Sequence, residues 1–318
     1  MNSSAECQNT TAPRINRRAF LERAALVGGA LTLLPGSLLA QTNANAVAAP
    51  AKAPRYKIAV CDWMILKRQK LGAFALAKEL GADGVEVDMG SLGERETFES
   101  QLNKPEVRQQ FLDQARALGL EIPSLAMSGF YAQSFAERAT VPRMVQDCLD
   151  TMVAMQVETA FLPLGVKSDL LQHPEVRPAV LERLKAAGAQ AEKAGVVIGV
   201  ESELDAAAQI KLLDEVGSPG IKIYYNLANA IQHGRNYVQE LLQLGKARLC
   251  QIHCTNTDGF WLQNDPQVNL LNIKSALDAM GWSGWLVVER SRDAKDARNV
   301  KKNFSANVAY LKSIFQKS

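Results

Sequence analysis

Glu201, Asn226, His253 and Glu289 share one position in the sequence pattern: each closes a short apolar run, in Val-Val-Ile-Gly-Val-Glu201, Ile-Lys-Ile-Tyr-Tyr-Asn226, Leu-Cys-Gln-Ile-His253 and Trp-Leu-Val-Val-Glu289. Two carboxylates, an imidazole and an amide oxygen are ligands suited to a divalent cation: Mn²⁺, Mg²⁺ or Co²⁺, with Zn²⁺ also compatible. Two ionised glutamates would offset the charge of such an ion. A cation bound to a carbonyl and a neighbouring hydroxyl acidifies the C–H between them and favours an enediolate. The same two glutamates, on opposite sides of a substrate, could remove and return that proton.

For these side chains to meet, the elements that carry them must converge. The four residues recur every 25–36 positions, about one strand, one helix and their loops in a βα repeat, whose strand ends gather at one mouth. Beyond residue 55, β-rich runs alternate with helical stretches. Strands are expected at Lys57–Cys61, Gly84–Val87, Glu121–Met127, Thr159–Pro163, Val196–Glu201, Ile221–Asn226, Arg248–His253 and Gly284–Glu289. Helices are expected near 71–81, 104–119, 141–156, 175–195, 205–216, 236–246, 270–281 and 298–315, several stopping at a glycine suited to a left-handed cap. Eight βα units predict a single (β/α)8 TIM barrel over 56–318. Alternation within strands puts Glu201, Asn226, His253 and Glu289 on the face that lines the barrel interior, and Glu86 on the second strand follows the same rule.

Positions 1–46 read as a cleavable twin-arginine signal peptide: Asn16-Arg17-Arg18-Ala19-Phe20-Leu21, a weakly apolar stretch from Ala24 to Ala40, and a small-residue site at Ala44-Asn45-Ala46. The stretch is short for a membrane span, so a periplasmic protein without stable membrane insertion is expected. Residues 47–55 read as a flexible Ala/Pro-rich leader. The net charge of the 318 residues is +3, and four arginines against two glutamates in the signal account for most of it. The rest is nearly neutral, which gives no electrostatic footprint for nucleic acid. Five cysteines show no disulfide framework. Cys250-x-x-His253-Cys254 resembles a zinc spacing, but alternation turns Cys250 and Cys254 away from His253, to pack under helices.

From about residue 56 to 315 the chain resembles the sugar phosphate isomerase/epimerase superfamily, the xylose isomerase-like TIM barrels that include the ketose 3-epimerases. The resemblance is carried by Gly81-Ala82-Asp83-Gly84-Val85-Glu86, Gly199-Val200-Glu201, Tyr225-Asn226-Leu227-Ala228-Asn229-Ala230, Gln251-Ile252-His253 and Gly281-Trp282-Ser283-Gly284-Trp285-Leu286-Val287-Val288-Glu289. It implies that the family's Glu, Asp, His and Glu ligands fall on Glu201, Asn226, His253 and Glu289, with Glu201 and Glu289 also the acid/base pair. Three positions depart from the family pattern: Asn226 in place of Asp, Thr255-Asn256 in place of Lys-Asp, and Asn229 in place of His. A neutral Asn226 lowers the charge facing a cation.

Glu86, Trp63, Asn229, Arg290 and Arg292 are candidates for substrate contact, the two arginines for hydroxyls or a carboxylate. Glu86 is equally compatible with a salt bridge to Lys57 or Arg55, and Trp63 and Trp261 with loop packing. The expected function is a metal-dependent isomerase or epimerase of a small unphosphorylated keto-sugar or related polyol, for which no Gly-rich phosphate loop is present. A lyase or hydratase acting on a 3-keto sugar and a non-catalytic carbohydrate-binding barrel stay open, as does a homo-oligomer. A multi-zinc phosphodiesterase would need more histidines than His173, His233 and His253.

Overall fold

Eight parallel strands close on themselves in sequence order: β1 (Tyr56–Cys61), β2 (Gly84–Asp88), β3 (Leu125–Ala126), β4 (Thr159–Pro163), β5 (Val197–Glu201), β6 (Ile221–Asn226), β7 (Leu249–His253) and β8 (Gly284–Val288). β8 returns to β1 with Tyr56 opposite Gly284 and Val60 opposite Val288. This is a TIM barrel. The computed structural model describes residues 54–92 and 95–317; the expected signal peptide and most of the leader lie outside the described residues. Among those residues, no helix is long and apolar enough to cross a membrane.

The helices are α1 (Gly72–Glu79), α2 (Pro105–Leu118), α3 (Val141–Met155), α4 (Arg177–Ala194), α5 (Ala206–Val216), α6 (Leu227–Gln232), α7 (Tyr237–Leu244), α8 (Leu270–Met280) and α9 (Val300–Phe315). Seven of the eight expected strands are found within a residue or so of their predicted bounds. The third shrinks to two residues, with Glu121 joined to Gly84 only by an isolated bridge. The short α6 was not expected; it begins directly at Asn226, whose side chain caps it.

Strand alternation sorts the core as predicted. Ile198, Val200, Ile223, Tyr225, Ile252, Leu286 and Val288 pack in the layer beneath the helices, while Ala59, Cys61, Ala126, Phe161, Tyr224 and Val287 fill the barrel. One expectation is corrected. Cys254 packs outside with the helices, but Cys250 packs against the interior cluster. The β6–β7 pairing slips between Ile223 and Tyr224, and a register shift of this kind breaks the two-residue period locally. Gly199 makes room for the result: a Cβ there would overlap Cys250 Sγ and stand 3.0 Å from Tyr224 Cβ.

Candidate active site

Glu201, Asn226 and His253 end their strands, and Glu289 follows β8 directly. The closed barrel brings the four together. His253 Nδ1 lies 2.9 Å from Glu201 Oε2 and 3.8 Å from Glu289 Oε2. Asn226 Nδ2 donates to both carboxylates, at 3.0 Å to Glu201 and 3.2 Å to Glu289. Its Oδ1 accepts the backbone N–H of Ala228 at the start of α6. The amide therefore presents its nitrogen to the carboxylates. To offer its oxygen to a cation it would have to turn over and give up the cap.

The other side of His253 is bound by Glu86, at 3.2 Å from Nε2. Neither expected partner of Glu86 is its neighbour: Lys57 pairs with Glu121 and Arg55 with Asp278. Glu86 is fully buried and accepts from Ser124 Oγ at 2.6 Å, Tyr224 Oη at 2.7 Å and Cys61 Sγ at 3.4 Å. Burial alone would raise its pKa, but the bonds from His253, Ser124 and Tyr224 win and hold it below the ordinary range. Burial likewise opposes the His253 imidazolium, yet the charge of Glu289 and the bonds to Glu201 and Glu86 keep its pKa well above that of a free histidine. Burial raises Glu201, against the opposing bond from His253.

Cys61, Glu86 and His253 offer donor atoms within 4.8 Å of one another. Burial and the charge of Glu86 push the Cys61 thiol far up, so it stays protonated and donates. With four donors on its two oxygens, Glu86 is satisfied as an anion. This group acts as a carboxylate clamp on His253: both ring nitrogens face carboxylates, and a cation that took Nδ1 would displace its proton and leave the Nε2 proton on Glu86. Metal-binding histidines are held by that kind of second partner. Two carboxylates and an oriented imidazole nitrogen thus fit a divalent cation, with Asn226 beside them.

Two adjoining cavities open above this floor. One, of about 190 Å³, is lined by Trp63, Met64, Arg68, Ser128, Tyr131, Phe161, Pro163, Glu201, Glu289 and Arg290. The other, of about 70 Å³, shares Tyr131, Glu201, Glu289 and Arg290 and adds Asn226 and Asn229. Trp63 stacks on Phe161 at 6.2 Å and forms an apolar wall. Arg290 reaches the site, whereas Arg292 is held by Asp258. Asn229 bonds the carbonyl of Ser202 at 3.3 Å. Trp261 lies elsewhere, bonded to Asn303. His233 pairs with Glu203, which lines the smaller cavity, and His173 pairs with Glu175.

Arg68, Ser128 and Tyr131 were not singled out by the sequence. Arg68 sits between Lys67 and Lys70 with no spacing to mark it, and only the fold reveals its partner. Its Nη1 donates to buried Asp88 at 2.7 Å and to Ser128 Oγ at 3.0 Å. Asp62, also buried, accepts the backbone N–H groups of Gln69 and Asp88. Burial pushes Asp88 up to about 6, against the pull of Arg68. Burial and the charge of Asp88 push Asp62 well above the carboxylate range. A carboxyl whose pKa is higher folded than unfolded binds its proton more tightly in the native state. Its stabilisation is complete below about pH 4 and is lost as pH rises through about 6. The pair should therefore make unfolding free energy fall across that window, by at most about 3 kcal/mol from Asp88. Chemical denaturation of wild type and Asp88→Asn at both ends of the window measures it; equal slopes would remove the effect.

A family model described as the xylose isomerase-like TIM barrel matches residues 74–314. The sequence has no significant match among curated proteins. Solved structures share the fold. A xylose isomerase domain protein from Planctomyces limnophilus is 15% identical, with a TM-score of 0.60 over 84% of this chain and 100% of that one. The 3-keto-D-glucoside 4-epimerase of E. coli is 15% identical, with a TM-score of 0.63 over 81% and 99%. The D-psicose 3-epimerase of Clostridium cellulolyticum H10, solved with D-tagatose, is 13% identical, with a TM-score of 0.64 over 81% and 99%. With a matched segment that spans seven of its eight strands, the chain belongs to the xylose isomerase-like TIM barrel family.

Proposed function

We propose that this protein is a metal-dependent isomerase or epimerase of a small keto-sugar, working through an enediolate. The observation that carries the reading is the convergence of Glu201 and Glu289 on one amide nitrogen at the floor of a pocket they both line. Glu201, His253 through Nδ1, and Glu289 would hold the cation. When bound, the cation would draw electron density from a substrate carbonyl and its neighbouring hydroxyl and so acidify the C–H between them. The family and the epimerases that share the fold support a sugar substrate.

The remaining steps belong to the chain. One carboxylate takes the proton from carbon; the electron pair of that bond forms the carbon–carbon double bond, and the carbonyl oxygen takes the charge. The other carboxylate delivers a proton to the opposite face, which inverts the centre. Burial raises Glu201, which suits a group that must hold a proton during the cycle. Glu86 keeps His253 in place, and the Trp63–Phe161 wall excludes water from one side. Expulsion of a leaving group from the same enediolate gives a lyase, which product analysis separates from an epimerase. The twin-arginine segment supports a periplasmic enzyme.

The test is exchange of substrate hydrogen with solvent. The protein supplied with Mn²⁺ is incubated in D₂O with neutral and acidic keto-sugars. NMR is expected to show deuterium at the carbon beside the carbonyl, together with an isomer. Loss of that signal in chelator is also expected. No exchange with any of these compounds would overturn the assignment.

A further inference from the structure

Two guanidiniums, Arg68 and Arg290, line the same pocket as the two glutamates. They come from loops far apart in sequence, yet each is followed at once by a non-glycine residue in the left-handed region: Gln69 at φ 51° and Ser291 at φ 64°. This conformation is uncommon outside glycine and persists where the surroundings impose it, often at ligand clamps. Here they do. The backbone of Gln69 is held by the Asp62 carboxylate at 2.8 Å, and its side chain reaches the Asp88 carbonyl and Ser100 Oγ. Fully buried Ser291 accepts the N–H of Asn256 on Oγ, and its carbonyl accepts from Asn307 at 2.8 Å. Two separate sets of buried polar groups thus hold two strained turns, and each turn aims an arginine at one pocket.

The partners of these arginines leave capacity for a ligand. The hydrogen bonds of Arg68 use Nη1 alone. Arg290 is partly buried beside Glu289 and Tyr131, and among the described residues no carboxylate lies within ion-pair distance of it. The pocket is therefore bipolar. Glu201 and Glu289, which would hold the cation, share it with the two guanidiniums and with apolar Trp63, Met64, Phe161 and Pro163.

Resting on the isomerase reading and going beyond it, we propose that the substrate is a keto-sugar acid whose carboxylate is gripped by Arg68 and Arg290 while its carbonyl end faces Glu201 and Glu289. A guanidinium fork matches a planar carboxylate in paired hydrogen bonds. A phosphate would require donors for three terminal oxygens, and of the two hydroxyls that line the pocket Ser128 already donates to Asp88, which leaves Tyr131 alone. Asp88 and Asp62 are positioning residues that act through Arg68. The cavity of about 190 Å³ suits a single small sugar.

Three compounds that differ only at the terminal carbon test this: D-fructuronate, D-fructose and the terminal phosphate ester of fructose. Their affinities are measured by calorimetry on the full chain with Mn²⁺ added. The acid is expected to bind at least about tenfold more tightly than the neutral ketose, and more tightly than the phosphate. Arg68→Lys and Arg290→Lys keep the positive charge, and so a partner for buried Asp88, but lose the fork. Each is expected to cut the acid-to-neutral ratio by about tenfold. An acid that binds no better than D-fructose, no measurable binding of the acid, tighter binding of the phosphate, or lysine variants that keep the wild-type ratio would each overturn the proposal. Its fate is separable from that of the isomerase reading. Intact acid selectivity with no deuterium exchange sinks only the isomerase reading; exchange without acid selectivity sinks only this one.

Discussion

Glu201→Gln and Glu289→Gln are each expected to abolish measurable turnover, a loss of roughly 10³-fold or more, while the barrel stays folded. Glutamine keeps the shape of the side chain and an oxygen that can accept from Asn226, so packing at the floor is largely preserved. What disappears is the ability to take up and release a proton. Inversion needs such a group on each face of the substrate, so either substitution alone should suffice. Steady-state kinetics with a melting curve for each variant gives the answer. Wild-type-like turnover in either one would remove that carboxylate from proton transfer.

Asn226→Asp should have two effects of opposite sign. In the protein without added metal, Asn226 Nδ2 is the donor that separates Glu201 from Glu289. Aspartate removes that donor and adds a third negative group, with His253 the nearby cation. The cap on α6 survives, because aspartate accepts from the Ala228 N–H as well as asparagine does. Stability in chelator is therefore expected to fall by about 3 kcal/mol, the scale of an uncompensated buried charge. Divalent affinity is expected to rise by about tenfold or more, since one more carboxylate faces the cation. Melting in chelator and in Mn²⁺, with calorimetry of Mn²⁺ binding, reads both. A variant that matches wild type in chelator and binds Mn²⁺ no more tightly would place residue 226 outside the centre.

The parts of this molecule that were legible in the sequence are those that repeat. Strand alternation and polar strand ends recur through the barrel, so one rule located Glu201, Asn226, His253 and Glu289 together and put Glu86 on the same face. The partner of Glu86 was not legible, because Glu86 and His253 lie 167 residues apart and meet only when the barrel closes. The inward turn of Cys250 depends on a register shift that leaves no compositional mark. Arg68 escaped notice for a related reason: its role depends on two buried aspartates, one of them in the next βα unit, and charged residues in a loop otherwise read as a solvated surface. The orientation of the Asn226 amide was hidden as well, since residue type alone does not say which end faces the site.

Just beneath the carboxylate floor, the bare backbone at Gly199 and the sulfur of Cys250 occupy complementary volumes on non-adjacent strands. Neither position is free to drift by itself. A methyl at 199 demands that the sulfur at 250 turn away or give place to a smaller group. Homologues should therefore show correlated exchange at these two sites, and libraries that place a side chain at 199 should recover more viable members when 250 is allowed to shrink with it.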